Sequence, residues 1–329
     1  MGAQLVTAIV LLASIAVAER HGMWTCTVLS SKTLAPNVQW VKRNCTGVVN
    51  RAKPFPGASH IGPVIVNVAS ALLSPHPDSP KLRPQIALTS MGLAKLHELA
   101  ANATQGGPAG FRPVAGVNGG YFFEVNRMDF LDDVCFGKLR RDALRNVSLA
   151  DPNAGIGDGL TIMNGQYKSS NCDKAGNSKP VVALLDYPPR FMKLARAERA
   201  PQGTQWAIAA GPNLVSRDAS TNISHVDIEG DNVNIIEHAS NTGLAIRGDE
   251  FMLVTVDGMD GCVEYKPTCG VNAWQFASFM LDYLQAESAM EMDQGGSTAM
   301  WIEGQPNKGI VSNPGVHERP LFNGLFIGV

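Results

Sequence analysis

Asp293 stands where an apolar run meets a glycine turn. Residues 289–292 and 298–302 are rich in Met, Ile, Trp and Ala, and Gln294-Gly295-Gly296-Ser297 lies between them. Glycine and polar residues there interrupt a strand and let a ligand approach the main chain. A carboxylate at such a turn can serve as base or nucleophile for a substrate lying over it. With no substrate, Asp-x-Gly-Gly is the polar loop of a hairpin. The same order of residue types recurs at Asn118-Gly119-Gly120, after the apolar residues 114–117 and before Tyr121-Phe122-Phe123. An Asn amide offers donors and an acceptor to a sugar hydroxyl, and Asn-Gly is equally a tight-turn pair. Gly211-Pro212-Asn213 and Asp257-Gly258 end two further apolar runs, each as a plain turn or as part of a site. Glu318-Arg319 is either a surface ion pair of small worth or an acid beside a planar fork suited to phosphate.

These groups need strands to hold them. Residues 61–70 are β-branched and bounded by glycine and proline, which predicts a strand. Residues 86–90, 114–117, 160–165, 181–185 and 206–215 give shorter ones, and 241–246 with 251–258 a hairpin ending at Asp257. Leu93, Leu96, Leu99 and Ala100 share one face of a short helix, with His97 on its solvated side. Asn272 and Gln275 have the spacing of a capping box, heading a helix whose apolar face is Trp274, Ala277, Leu281 and Leu284. That helix leads into the strand before Asp293, and residues 321–329 close the core. The expected fold is α+β: a single mixed domain of twisted, largely antiparallel sheet with a few packed helices.

The chain has 329 residues, a formal net charge of −2 and no long basic run, so nothing points to nucleic acid. Residues 2–18 carry no charge, and the run from Leu5 to Val17 ends in Ala16-Val17-Ala18. This predicts a signal peptide over 1–18, cleaved after Ala18, with an uncleaved anchor as the alternative. No other stretch is long and apolar enough to span a membrane, so the expected location is secreted or the lumen of the secretory pathway. Residues 19–59 read as an N-terminal extension and 60–329 as the main domain. Six cysteines in an exported chain favour disulfides. The shortest loops give Cys26–Cys45, Cys135–Cys172 and Cys262–Cys269 among fifteen formal pairings. Asn44, Asn102, Asn146 and Asn222 begin glycosylation tripeptides. The seven His residues form no zinc pattern; no cofactor is expected, and a carboxylate-bound calcium stays open.

Asn118-Gly-Gly-Tyr-Phe122, Ala210-Gly-Pro-Asn-Leu-Val215, Val254-Thr-Val-Asp-Gly258, Met292-Asp-Gln-Gly-Gly-Ser-Thr298 and Glu318-Arg-Pro320 occur in this order. Over residues 60–329 the chain resembles the phosphodiester glycosidases. The resemblance implies a mixed α/β catalytic domain that removes a sugar, N-acetylglucosamine-like, from a sugar-1-phosphodiester by glycosidic C–O cleavage. It implies Asp293 and Glu318 as catalytic carboxylates. Substrate would be bound by Asn118, Gly119, Gly120, Asn213, Thr242, Asp257, Gly295, Gly296, Ser297 and Arg319. Two positions depart from the family pattern: Asn241 stands where an arginine is usual, and Gln294 replaces the first glycine after the aspartate. The implied partner is a sugar-phosphodiester or glycan, with no nucleic acid and no membrane span after signal cleavage; the oligomeric state stays open. The competing readings are a phosphodiesterase that breaks the P–O bond and a non-catalytic carbohydrate-binding protein of the same fold. A serine hydrolase on Ser297 fits less well, because Gly-Gly-Ser-Thr lacks the Gly-x-Ser-x-Gly elbow.

Overall fold

The computed structural model describes residues 18–21, 24–51, 57–87, 92–106, 110–124, 155–157, 159–169, 181–193, 200–228, 237–258, 270–312 and 318–329. Residues 1–17 of the expected signal peptide, the expected pairings Cys135–Cys172 and Cys262–Cys269, and Asn146 lie outside them. Numbered in chain order, β1 (Ala18–His21), β2 (Trp24–Ala35), β3 (Val38–Arg51) and β4 (Gly57–Leu72) form one half of a nine-stranded sheet. The other half is β17 (Glu250–Val256), β16 (Asn241–Arg247), β18 (Ser288–Glu291), β14 (Asn213–Arg217) and β15 (Ser224–Val226), in that spatial order after β4. A four-stranded sheet runs β19 (Met300–Ile302), β6 (Pro113–Asn118), β20 (Asn323–Gly328), β5 (Lys81–Ile86). A five-stranded sheet runs β10 (Gln166–Ser169), β9 (Thr161–Met163), β13 (Ala207–Ala210), β11 (Val181–Leu184), β12 (Arg190–Lys193). β7 (Phe122–Glu124) pairs with β8 (Gly155–Gly157).

Every strand pairing within these sheets is antiparallel. The expected antiparallel character is therefore present in a domain dominated by strands. Among the described residues two short α-helices accompany them, α1 (Leu96–Gly106) and α2 (Ala273–Ser278), the latter continuing as a π-helical turn over Phe279–Tyr283. Of the strand expected over residues 86–90, Ile86 ends β5 and residues 88–90 lie outside the described ones. In β5 Leu82, Pro84 and Gln85 are buried and Lys81, Arg83 and Ile86 partly exposed.

Alternation along the strands sorts the core into layers. Leu244, Ile246, Phe251, Leu253, Met290 and Met292 point from the large sheet into a cluster shared with Val117, Leu325, Ile208 and Val181 of the two smaller sheets. Their sequence neighbours Ala245, Met252, Val254 and Ala289 point the other way, under Phe276, Phe279 and Met280. With both faces covered, β16 and β17 are nearly continuous apolar runs. Helix α1 packs on the outer side of the four-stranded sheet through Leu96, Leu99 and Phe326.

The capping box at α2 forms as the sequence suggests: Asn272 Oδ1 accepts from Gln275 N and Gln275 Oε1 accepts from Asn272 N, both at 3.0 Å. Of the expected apolar face Ala277 and Leu284 are buried, while Trp274 and Leu281 are only partly so. Phe276 and Met280, beside that face, meet the sheet over Gly243. The π turn from Phe279 adds a residue to its helical circuit, which shifts the face beyond it from the regular 3.6 pattern.

Residues 24–51, read above as an extension, are β2 and β3 of the large sheet, and β4 runs through residues 59–60 without a break. Trp24 packs edge-on against Phe279 at 5.1 Å between ring centroids. Its Nε1 donates to Ser278 Oγ at 3.2 Å. Cys26 and Cys45 face each other across β2 and β3 and form a disulfide that closes a 19-residue separation. A disulfide on a loop of that size restricts the unfolded chain by about 3 kcal/mol. The double variant Cys26→Ser/Cys45→Ser is expected to lose stability of that order in urea unfolding, and unchanged stability would show that β2 and β3 are held by packing alone. Asn44 and Asn222 are exposed and Asn102 is partly so. No helix among the described residues is long and apolar enough to cross a membrane.

Candidate active site

The stretch around Asp293 is not a hairpin. β18 belongs to the nine-stranded sheet and β19 to the four-stranded one, so Gln294-Gly295-Gly296-Ser297 carries the chain from one sheet to the other. Residues Gly295–Ser297 form a single 3₁₀ turn that starts with Gly295 at φ 67°, a conformation that favours glycine.

One amide spans this junction. Asn118, at the end of β6, is fully buried. Its Oδ1 accepts from Thr242 Oγ1 of β16 at 2.6 Å and from Ala299 N at 3.0 Å. Its Nδ2 donates to the Asp293 carbonyl at 2.7 Å. Main-chain bonds complete the clamp: Asp293 N donates to Gly119 O at 3.1 Å, Met292 N to Thr242 O at 2.8 Å and Gly295 N to Ser240 O at 2.8 Å. The backbone of Asp293 is thus held at the end of β6, and its neighbours Met292 and Gly295 at the start of β16, while Asp293 itself stays partly exposed.

Arg319 lies at the far end of the turn. Its Nη1 is 3.5 Å from Ser297 Oγ, and its guanidinium carbon is 5.1 Å from the centroid of the Phe122 ring. An aromatic face attracts a guanidinium. Glu318, next in sequence, turns toward α1. Its Oε2 lies 2.6 Å from His97 Nδ1 and its Oε1 accepts from His97 N at 3.1 Å. His97 is therefore not a solvated residue of α1. It sits in the first turn with 16 % side-chain exposure, against 13 % for Glu318, where a carboxylate complements the free N–H groups of the helix start.

The remaining expected site residues divide. Gly119 and Gly120 touch protein: a Cβ on Gly119 would lie 1.9 Å from Asn323 Oδ1, and one on Gly120 would lie 2.3 Å from Ala209 O. Thr242 is fully buried, with its hydroxyl given to Asn118. Asp257 is partly buried beside Gly258, whose carbonyl accepts from Ser240 Oγ at 2.8 Å, linking it to the turn through Ser240. Asn213 faces elsewhere. Its amide donates to Ser216 Oγ at 2.9 Å and to Asp227 Oδ2 at 3.0 Å, and Asp227 pairs with Lys193 at 2.8 Å. Asn241, at the usual arginine position, is buried, with its amide donating to Ala239 O and Val271 O at 2.9 and 2.6 Å.

Sequence reading passed over Glu291. This residue is 0 % exposed, two positions before Asp293, and neither carboxylate oxygen has a hydrogen-bond partner among the described residues. Burial, and then the nearby Asp293 charge, hold its carboxyl well above the usual range. The signal was a lone acid inside the apolar run Ala289-Met-Glu-Met292. Among the described residues no group of three His, Cys, Asp or Glu side chains is arranged to hold a metal ion. A surface cavity of about 460 Å³ opens near Lys81, Arg83, Phe111 and Val329, beyond the Gly328 end of β20 and away from Asn323 and the turn.

Fold and site together define a sheet-built domain with a carboxylate and a guanidinium flanking a glycine turn between two sheets. The family model for phosphodiester glycosidases matches residues 111–328, and the chain belongs to that family. No curated protein matches it. Among solved structures it is similar to the catalytic domain of zebrafish N-acetylglucosamine-1-phosphodiester α-N-acetylglucosaminidase, auto-inhibited by its pro-peptide. That similarity has a TM-score of 0.55 and 14% identity, covering 93% of this chain and 88% of that one. A hypothetical protein from Synechocystis is similar with a TM-score of 0.52 and 13% identity, over 92% of this chain and 64% of that one. At such identities these likenesses establish the shared fold.

Proposed function

We propose that this protein hydrolyses the glycosidic C–O bond of a sugar-1-phosphodiester in the secretory pathway or outside the cell. The observation that carries the reading is Asp293, on a turn whose main chain is bonded to both sheets, with Arg319 at the other end of the same turn. The leaving group is already an anion at neutral pH, so the reaction needs little general-acid help. What it needs is a carboxylate at the anomeric centre as positive charge develops there. In the direct route Asp293 takes a proton from water as its oxygen bonds the anomeric carbon. The C–O bond breaks and the phosphate monoester departs with the electron pair. In the covalent route Asp293 attacks first and water then releases the sugar. Arg319 binds phosphate oxygens. Asn118 and Thr242 act from beneath, by holding Asp293. The Cys26–Cys45 disulfide supports an oxidising compartment.

The first substrate to test is the class named for the zebrafish relative, an N-acetylglucosamine-1-phosphodiester. Hydrolysis in ¹⁸O-water separates the readings: label in the free sugar supports the proposal, and label in the phosphate means P–O cleavage. Saturable sugar-phosphate binding with no turnover means a binding protein, the reading favoured by the buried, internally bonded Asn241. Arg319→Lys is expected to raise KM for a sugar-1-phosphodiester by about tenfold, the loss of one charge-assisted bond of the planar fork. Unchanged steady-state kinetics would place the phosphate elsewhere.

A further inference from the structure

Among the described residues Glu291 is the fully buried carboxyl group, and no cationic side chain pairs with it. It stands opposite Gly243 in the pairing of β16 with β18, so the two Cβ positions share one face of the sheet. A Cβ on Gly243 would come within 2.7 Å of the Phe276 ring and 2.6 Å of Met280, which places that face under α2 and its π turn. Along β18 the Glu291 amide donates to Pro212 O at 2.9 Å. Thus β16 presents Gly243, the segment before β14 a carbonyl, and the helix two apolar side chains; none of these titrates. The ionisable group that couples to Glu291 is Asp293. An ionised carboxylate with no cation and no donor, out of water, is far costlier than a neutral acid, and two adjacent carboxylates oppose each other's ionisation.

We infer that Glu291 is a positioning residue: it carries the proton of a two-carboxylate unit, so that Asp293, the partly exposed member, is the anion presented to substrate. This rests on the assignment of Asp293 given above. It has a consequence at alkaline pH. When Glu291 ionises, a second negative charge arises beside Asp293 and opposes an anionic phosphodiester.

The test compares the unmutated protein with Glu291→Gln. With the folded-state carboxyl held above its ordinary value of 4.5, the unfolded chain releases this proton first. The contribution of Glu291 to stability is complete below that value and is lost as pH rises toward the folded-state value. Glutamine does not titrate and escapes the loss. The Tm of Glu291→Gln relative to the unmutated protein is therefore expected to climb by on the order of a few degrees per pH unit above about pH 4.5. A Tm difference that stays flat overturns the inference, and one that moves the other way overturns it by showing an ionised, paired Glu291. The second readout is the pH profile of kcat/KM. The unmutated enzyme should fall about tenfold per pH unit beyond the ionisation of one group, and Glu291→Gln should lack that limb. An identical alkaline fall in both proteins overturns the positioning role, since a glutamate of merely structural importance would leave that limb in place. If Glu291→Gln does not fold, infrared spectra of the unmutated protein at pH 7 decide: a protonated-carboxyl band is expected, and its absence overturns the inference. The Tm and infrared measurements need no turnover, so they stand apart from any failure of the hydrolase assignment.

Discussion

Asp293→Asn is expected to lower turnover of a sugar-1-phosphodiester by on the order of 10²–10⁴-fold, the usual worth of a base or nucleophile, while the protein stays folded. The two effects can be separated because two of the bonds that hold this residue use its main chain: its carbonyl accepts from Asn118 Nδ2 and its N–H donates to Gly119 O. An asparagine keeps both bonds and nearly the same volume. Glu291 carries its proton and the substitution adds no charge beside it, so Tm should stay close to that of the unmutated protein. Parallel thermal unfolding and initial-rate measurements check this. Near-normal turnover with an unchanged Tm would remove Asp293 from the chemistry.

The second large effect falls on stability. Asn118→Leu keeps the branched outline of the side chain and deletes both of its polar atoms at the junction of the sheets. The Ala299 N–H, the Thr242 hydroxyl and the Asp293 carbonyl then lose partners together. Each such group costs roughly 1–3 kcal/mol, so the expected loss is about 3–9 kcal/mol in urea unfolding. Turnover at a permissive temperature should fall as well, because the carbonyl that fixes Asp293 is released. Asn118→Asp is the informative companion: it retains the acceptor but places a charge in a dry junction beside Asp293. If Asn118→Leu were as stable as the unmutated protein, the amide would not be the link between the sheets.

Asn118 and Asn213 occupy similar strand-to-turn settings in the chain yet play different parts. Asn118 Nδ2 reaches the Asp293 carbonyl, while Asn213 Nδ2 reaches Asp227 across the pair of β14 and β15. Strand alternation tells which residues share a face, but not which distant strand lies opposite that face. Glu318 illustrates the same limit, since its carboxylate is engaged by His97, 221 positions away in the chain. The glycines beside Asn118 invited a ligand in the sequence; in the fold they admit Asn323 and the Ala209 carbonyl.

By itself, then, the sequence determined what short-range chemistry determines. β-Branched runs bounded by glycine and proline became β4, β16 and β17, and Asn272 with Gln275 capped α2. The ordered motifs from Asn118 to Pro320 carried the family, because their spacing follows the strand ends that the fold must place together. Tertiary structure alone decided that β18 and β19 lie in different sheets, so that the turn after Asp293 bridges two layers. It also decided that Glu291 is dry. Period-2 alternation puts Glu291 on the same face as Ala289, but whether that face is wet depends on what covers it. Here it is covered by a helix displaced from its regular pattern by a π turn, and a neutral acid beside the candidate catalytic aspartate follows from that packing.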